Sequence, residues 1–372
     1  ARTGWLFPLT AVMDSGVAVF FVLSGFLIYR PFVAAHVDGR PHQRAGAFWW
    51  RRVLRIVPAY WVTLTFFWAL GAFDLGRDWW RFYLFLQIYS PTTVLNGVTQ
   101  AWSLCTEMTF YLLIPLWAFG LAALAGRART PRRTLVLHLA GCALLWLGGT
   151  LSRIAIEAWA PSKRGIAFDW LPTNLDLFAT GMGLAVLSVW AVHDDGLRRR
   201  LDRLAARVEP WWLAAVTLFL WYAYEVGPAD FATGYSGWFW HRRQLTLGLF
   251  TLLLMVPAVF GPQDRTWVRR AWSWRPVVWV GTVSYGIYLW HFDWMKRSIA
   301  SAGGLGQPSW PGWVRTPLGD SSFPYLLVVG LGAGMAFAAV SWYLLEEPLQ
   351  RFKGGLRRRS PRGALGAAEA SK

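Results

Sequence analysis

RRVLRIVPAY, residues 51–60, stands between two long apolar runs and carries three arginines within its first five positions. If those runs cross a bilayer, the arginines mark the surface at which the next span begins. Composition decides that they do. A chain of 372 residues that is 55% hydrophobic, 17% aromatic and only 15% charged, with a mean hydropathy of +0.33, is too apolar for a soluble protein. Nine runs are long enough to cross roughly 30 Å of hydrocarbon as helices. They lie near 12–32, 53–73, 102–125, 134–152, 174–192, 211–226, 243–260, 276–292 and 324–345. A tenth, RFYLFLQIY from Arg81 to Tyr89, is too short to span on its own. The runs are continuous and rich in Leu, Ala and Trp, without the period-two alternation of membrane strands. The expected fold is therefore all-α, a polytopic transmembrane bundle of nine to ten spans.

A formal charge of +17 would suggest nucleic acid or anionic lipid as a partner in a soluble protein, so the positions of the charges matter. Of the 37 lysines and arginines, 25 fall in Arg40–Arg55, Arg127–Arg133, Arg198–Arg207, Arg265–Arg275 and the tail from Arg351. These are every second connection if nine runs span, which makes them topology signals, with no nucleic acid required. The pattern puts the C-terminus in the cytoplasm and the first residues outside. Residues 1–352 read as one integral membrane domain. Residues 353–372, basic and rich in Gly, Ala and Ser, read as a disordered cytoplasmic tail beside membrane lipid. The segments 153–173, 227–241 and 293–323, rich in Trp, Gly and Pro, fall on the outer side and could roof a site, although an interfacial aromatic belt explains most of their tryptophans.

An ionisable residue inside a span costs roughly 2.5 to 3.5 kcal/mol on insertion scales and is a functional candidate by default. Glu107, in AWSLCTEMTFYLLIPLW, is the foremost one; Tyr111 follows on the same face, and the choice lies between an active-site role and a structural carboxyl bonded to a neighbouring helix. His291 ends a stripe with Ser284 and Tyr288, where a polar anchor competes with a catalyst. Asp14 and Asp176 lie near outer helix ends, where capping is their expected work. For His36, His42, His138, His193 and His241 loop or interface positions suffice. Cys105 and Cys142 fall inside spans and read as buried thiols. No set of His, Asp and Glu has metal-site spacing, so no metal is expected. Ser24 and Gly25 place small residues in mid-span, as close helix packing requires.

Arg52 and Arg55 are three apart, on one face of a helix. Arg51 and Arg52 continue a basic connection, which topology explains, but Arg55 lies a turn deeper. Two guanidiniums on one face make a fork suited to phosphate or pyrophosphate, with lipid headgroups as the competing ligand. Pro58 then interrupts the helix and can open backbone groups to a cavity.

FFVLSGFLI, RRVLRIVPAY, WSLCTEMTFYLLIPL, GTVSYGIYLWH and a late EEP occur in that order from about Gly16 to Phe352. Together they resemble the membrane-bound acyltransferase 3 family, in a bacterial, actinobacterial style. The resemblance implies an inner (plasma) membrane enzyme of about ten to eleven helices in its full form. Such an enzyme moves an acyl group, most often acetyl, from cytoplasmic acyl-CoA to a hydroxyl of a glycan, lipid-linked sugar or small molecule. It implies Arg52 and Arg55 in acyl-CoA handling and marks Glu107, Ser284 and Tyr285 as motif residues; with His291 these are the expected catalytic positions. It also implies an essential histidine, preceded by an arginine, on a first helix upstream of the SGF block. Ala1 to Ser15 contains no histidine, and the chain opens with ARTGWLFPL, so the expectation is either an N-terminally shortened chain or a degenerate, inactive member. A transporter or flippase is the rival from another class, although neither repeat symmetry nor paired half-helices are visible.

Overall fold

The computed structural model describes residues 7–41, 43–126, 130–226, 237–261, 267–301 and 323–354. All nine apolar runs are helical: α1 (Ser15–Val37), α2 (Ala45–Ala69), α3 (Trp102–Ala125), α4 (Pro131–Trp159), α5 (Leu171–His193), α6 (Glu209–Trp221), α7 (Gly237–Val259), α8 (Arg275–Ser301) and α9 (Phe323–Ser341). No strand occurs among the described residues, and six of the helical segments are long and apolar enough to cross a membrane. The protein is an all-α polytopic bundle. The RFYLFLQIY run does not span; it breaks into a short helix, Trp79–Tyr83, and a 3-10 turn, Gln87–Tyr89. The basic tail beyond residue 354 lies outside the described residues, as does His42.

α5 is the centre, with 67% of its apolar window buried, against 22% for the segment that includes α9. It can be central because small residues let α1 approach it. A Cβ on Gly25 would overlap the Phe178 carbonyl, and one on Gly181 would overlap that of Val22. The Phe21 ring stacks on Phe178 at 4.6 Å, and Phe178 stacks on Phe110 of α3 at 4.2 Å, which joins the three helices through one column.

Residues 70–101, between α2 and α3, are irregular yet buried at Phe82, Gln87, Ile88 and Val98. Irregular backbone is tolerated at bilayer depth only when protein satisfies it. Here Tyr60 Oη donates to the Phe82 carbonyl at 3.0 Å, Trp61 Nε1 to that of Tyr83 at 2.9 Å, and Gln100 Nε2 to that of Leu289 at 2.7 Å. This insertion starts α3 deep in the protein, so Glu107, near the start of its own helix, meets Ser24 in the middle of α1. At about 1.5 Å per residue, Ser24 is about 14 Å from the Ser15 end of α1 and about 20 Å from the Val37 end.

Several sequence expectations need correction. Arg153 does not open an outer loop: it is inside α4, 1% exposed, and its Nη2 donates to Asp176 Oδ2 at 2.8 Å. Asp176 is accordingly an ion-pair partner within α5 and not a cap, because α5 starts at Leu171, a full turn earlier. Asp14 precedes α1 without a capping hydrogen bond and pairs with Arg243 of α7 at 2.6 Å. His36 and His138 are not at loops or interfaces but buried, at 2% and 1% exposure.

Candidate functional site

α2 begins at Ala45, so Arg51, Arg52 and Arg55 all belong to it and none stands in a connection. Trp49 Nε1, one turn in, donates to the Tyr111 carbonyl at 2.9 Å. From Tyr111, α3 runs on to Ala125, about 21 Å further toward the basic end. The arginine turn is therefore recessed well inside that end of the bundle, where a topology signal is not needed.

What surrounds the turn is chemically dense. The Arg52 guanidinium lies 5.1 Å from the centroid of the Tyr111 ring and 5.5 Å from that of Phe48, a cation held over two aromatic faces. Tyr111 Oη donates to Glu107 Oε1, and Ser24 Oγ donates to the same oxygen at 2.7 Å. Glu107 is 2% exposed, and the charges of both Arg52 and Arg55 reach it. Tyr285 Oη of α8 donates to the carbonyl of Ile56, the residue after Arg55, at 2.8 Å. Glu346, 3% exposed, lies in the wide π turn that ends the last span, accepts from Ser341 Oγ at 3.0 Å, and feels the charge of Arg55. Among the described residues neither Arg52 nor Arg55 forms an ion pair or a hydrogen bond.

The structure thus gathers Arg52, Arg55, Glu107 and Tyr285 into one neighbourhood. Ser284 and His291 keep their hydrogen bonds within their own helix: Ser284 Oγ donates to the Gly281 carbonyl at 2.9 Å, and His291 Nδ1 meets the carbonyls of Ile287 and Tyr288 at 3.0 and 2.9 Å. His291 also packs its backbone against Gly334 of α9, as a helix anchor would. Tyr288, which shares its stripe, is bonded to Ser103 Oγ at 2.7 Å, one turn before Glu107.

Sequence reasoning did not single out Glu346, although it lies in the EEP block; its closeness to Arg55 shows only in the structure. It also missed a chain of buried groups between α1 and α4, in which Tyr29 Oη and His138 Nδ1 are 2.6 Å apart and His138 Nε2 and His36 Nδ1 are 2.8 Å apart. Residues 102 and 109 positions apart in sequence meet there, and no spacing rule could show it. Cys105 and Cys142 are buried free thiols. Among the described residues no group of three or more His, Cys, Asp or Glu could hold a metal ion.

The chain is thus a polytopic helical bundle with two arginines, unpaired among the described residues, beside a buried glutamate. Residues 2–345 match the family described as "Acyltransferase domain", and the chain belongs to it. It is 26% identical over 364 residues to YrhL of Bacillus subtilis (strain 168), described as a candidate peptidoglycan O-acetyltransferase, covering 90% of this chain and 50% of that protein. It is 25% identical over 298 residues to the peptidoglycan O-acetyltransferase OatA of Listeria monocytogenes, covering 74% and 44%. To nodulation protein 10 of Rhizobium leguminosarum bv. viciae it is 22% identical over 380 residues, covering 95% and 86%. The chain spans about half the length of the first two of these relatives. No solved structure matches it.

Proposed function

We propose that this chain is a membrane O-acyltransferase that takes an acyl group, most often acetyl, from acyl-CoA at the basic end of the bundle. It passes the group to a hydroxyl of a glycan, lipid-linked sugar or small molecule arriving from the opposite end. The basic end then lies at the cytoplasmic face of the inner membrane, with the C-terminus inside. The observation that carries this reading is the recessed pair Arg52 and Arg55, aligned on one helix face and without carboxylate partners among the described residues. Arg52 is partly buried and Arg55 exposed, so both guanidiniums keep donors open that a ligand phosphate would take in the bidentate geometry arginine favours. Membership of the acyltransferase family and the O-acetyltransferase names of the relatives support the donor–acceptor chemistry.

In the reaction the acceptor oxygen attacks the thioester carbonyl carbon. A C–O bond forms, the C–S bond breaks, and the proton of the hydroxyl ends on the CoA sulfur. Arg52 and Arg55 hold the CoA phosphates, so the pantetheine arm extends along the bundle toward Glu107. Ser24 and Tyr111 both bond Oε1 of Glu107 and fix its rotamer, which leaves Oε2 to orient a base or to share the proton. Tyr285 buttresses the arginine turn from α8. The test is to supply the purified protein with acetyl-labelled acetyl-CoA and a peptidoglycan-type oligosaccharide. The expected result is label on a sugar hydroxyl and free CoA in equal amounts. Absence of any acetyl-CoA binding would overturn the reading and favour a transporter or flippase.

A further inference from the structure

One carboxylate near this site has no partner. Asp169 lies in the connection between the short helix Arg164–Ala167 and α5, is 7% exposed, and forms no hydrogen bond or ion pair through its carboxyl group among the described residues. It is held in place from all sides. Thr106 Oγ1 donates to the Asp169 backbone carbonyl, and Asn174 Nδ2 donates to the carbonyls of Phe168 and Trp170 at 2.8 and 3.0 Å. A connection fixed this firmly does not leave an acidic group unbonded through looseness; every other strongly buried carboxylate described here is bonded.

Its surroundings suit a sugar. On one face of α3, Ser103, Thr106 and Glu107 follow each other down the helix: Thr106 binds the Asp169 backbone, and Ser103 binds Tyr288. The Tyr288 hydroxyl, bonded to Ser103 Oγ at 2.7 Å, is close enough to both Glu107 and Asp169 to feel their charges. Beside Asp169 the rings of Trp102 and Phe168 meet at 5.9 Å; the Arg243 guanidinium lies 5.0 Å from the Phe168 centroid, so the partly exposed Trp102 is the aromatic surface next to this acceptor of hydrogen bonds. Pyranose rings are bound by that combination, an aromatic face for the C–H side and a carboxylate for the hydroxyls.

We propose that Asp169 is the acceptor-binding carboxylate of this protein, taking hydrogen bonds from hydroxyls of a pyranose unit that enters from the end opposite the arginines. This deepens the acyltransferase reading and rests on it for the identity of the site as an acceptor subsite. Burial pushes the Asp169 carboxyl well above the ordinary carboxylate range, and Arg243 of α7 pulls it partly back. The other titratable groups that feel it are Cys105 of α3 and Tyr288 of α8, while Asp14 pairs with Arg243.

The experiment titrates the detergent-purified full chain with tetra-N-acetylchitotetraose, and separately with acetyl-CoA, for the native protein, Asp169→Asn and Asp169→Glu. Asp169→Asn should weaken the oligosaccharide about ten-fold or more, leave acetyl-CoA affinity within about two-fold, and be partly rescued by Asp169→Glu. Native affinity for the oligosaccharide should also fall as pH is lowered through the raised Asp169 titration, because the protonated group is a poorer acceptor. That pH series decides the matter if Asp169→Asn fails to fold. Unchanged oligosaccharide affinity in the variant, a flat pH series, or no binding by the native chain would overturn the proposal. Oligosaccharide binding that depends on Asp169 in a chain that does not bind acetyl-CoA would uphold this site and overturn the acyl-CoA reading instead.

Discussion

Two arginine sites lie in this bundle, one buried and one open, and they are solved in opposite ways. Between α4 and α5, Arg153 donates to Asp176 Oδ2 at 2.8 Å, to the Thr173 carbonyl at 2.6 Å and to Thr150 Oγ1 at 3.3 Å, while Asp176 Oδ1 accepts from the Leu177 amide at 3.0 Å. That site is complete without a ligand. On α2, Arg52 rests over aromatic rings and Arg55 faces open space, with Glu107 and Glu346 near enough to feel their charge but not paired with them. The carboxylates that feel the charge of the fork are bonded elsewhere, by Ser24, Tyr111 and Ser341. Charge that is paired serves the fold; charge held open by the satisfaction of its neighbours is available to a substrate.

The comparison breaks most visibly at the closed site. Arg153→Ala strands a buried carboxylate and should destabilise the protein by about 3 to 5 kcal/mol, read as a fall in Tm in detergent. The double substitution Arg153→Met with Asp176→Leu should recover most of that loss, because it removes both charges and keeps the volume. If the double variant is as unstable as the single one, the pair is not a self-contained structural unit.

A smaller effect separates chemistry from binding at the open site. Glu107→Gln keeps an oxygen that accepts from Ser24 and Tyr111, so the fold and acetyl-CoA affinity should remain near native. Acyl transfer should drop by about 100-fold or more, the usual range for a lost acid–base group. A variant with near-native turnover would reduce Glu107 to a structural hydrogen-bond acceptor.

The sequence carried the architecture well, because nine continuous apolar runs have no stable alternative to nine helices; Gly25 marks the close crossing expected of small mid-span residues, while Ser24 beside it bonds Glu107. It carried the arginine fork as well, since residues three apart must share a helix face. It did not carry depth. The reading that began the second span near residue 53 left Arg51 and Arg52 at the surface, whereas Ala45 starts the helix and the buried insertion 70–101 sets where α3 begins. Nor did it carry pairings across helices: Asp176 looked like a cap because Arg153, on another helix, cannot be seen from α5 alone. Asp169 fell in a stretch assigned to a roofing loop, and nothing in its neighbours FDW signals a carboxylate without a partner.

The central claim is that the fork, and not bulk positive charge, receives the donor. Equilibrium binding of acetyl-CoA to native protein, Arg55→Ala and Arg44→Ala tests it most directly, since Arg44 is exposed at the N-cap of the same helix. The account predicts that Arg55→Ala weakens binding by about ten-fold or more, as loss of a charge-assisted phosphate contact does, while Arg44→Ala stays within about two-fold. Equal losses in the two variants would contradict it, and would return the arginines of RRVLRIVPAY to the role of a membrane-surface signal.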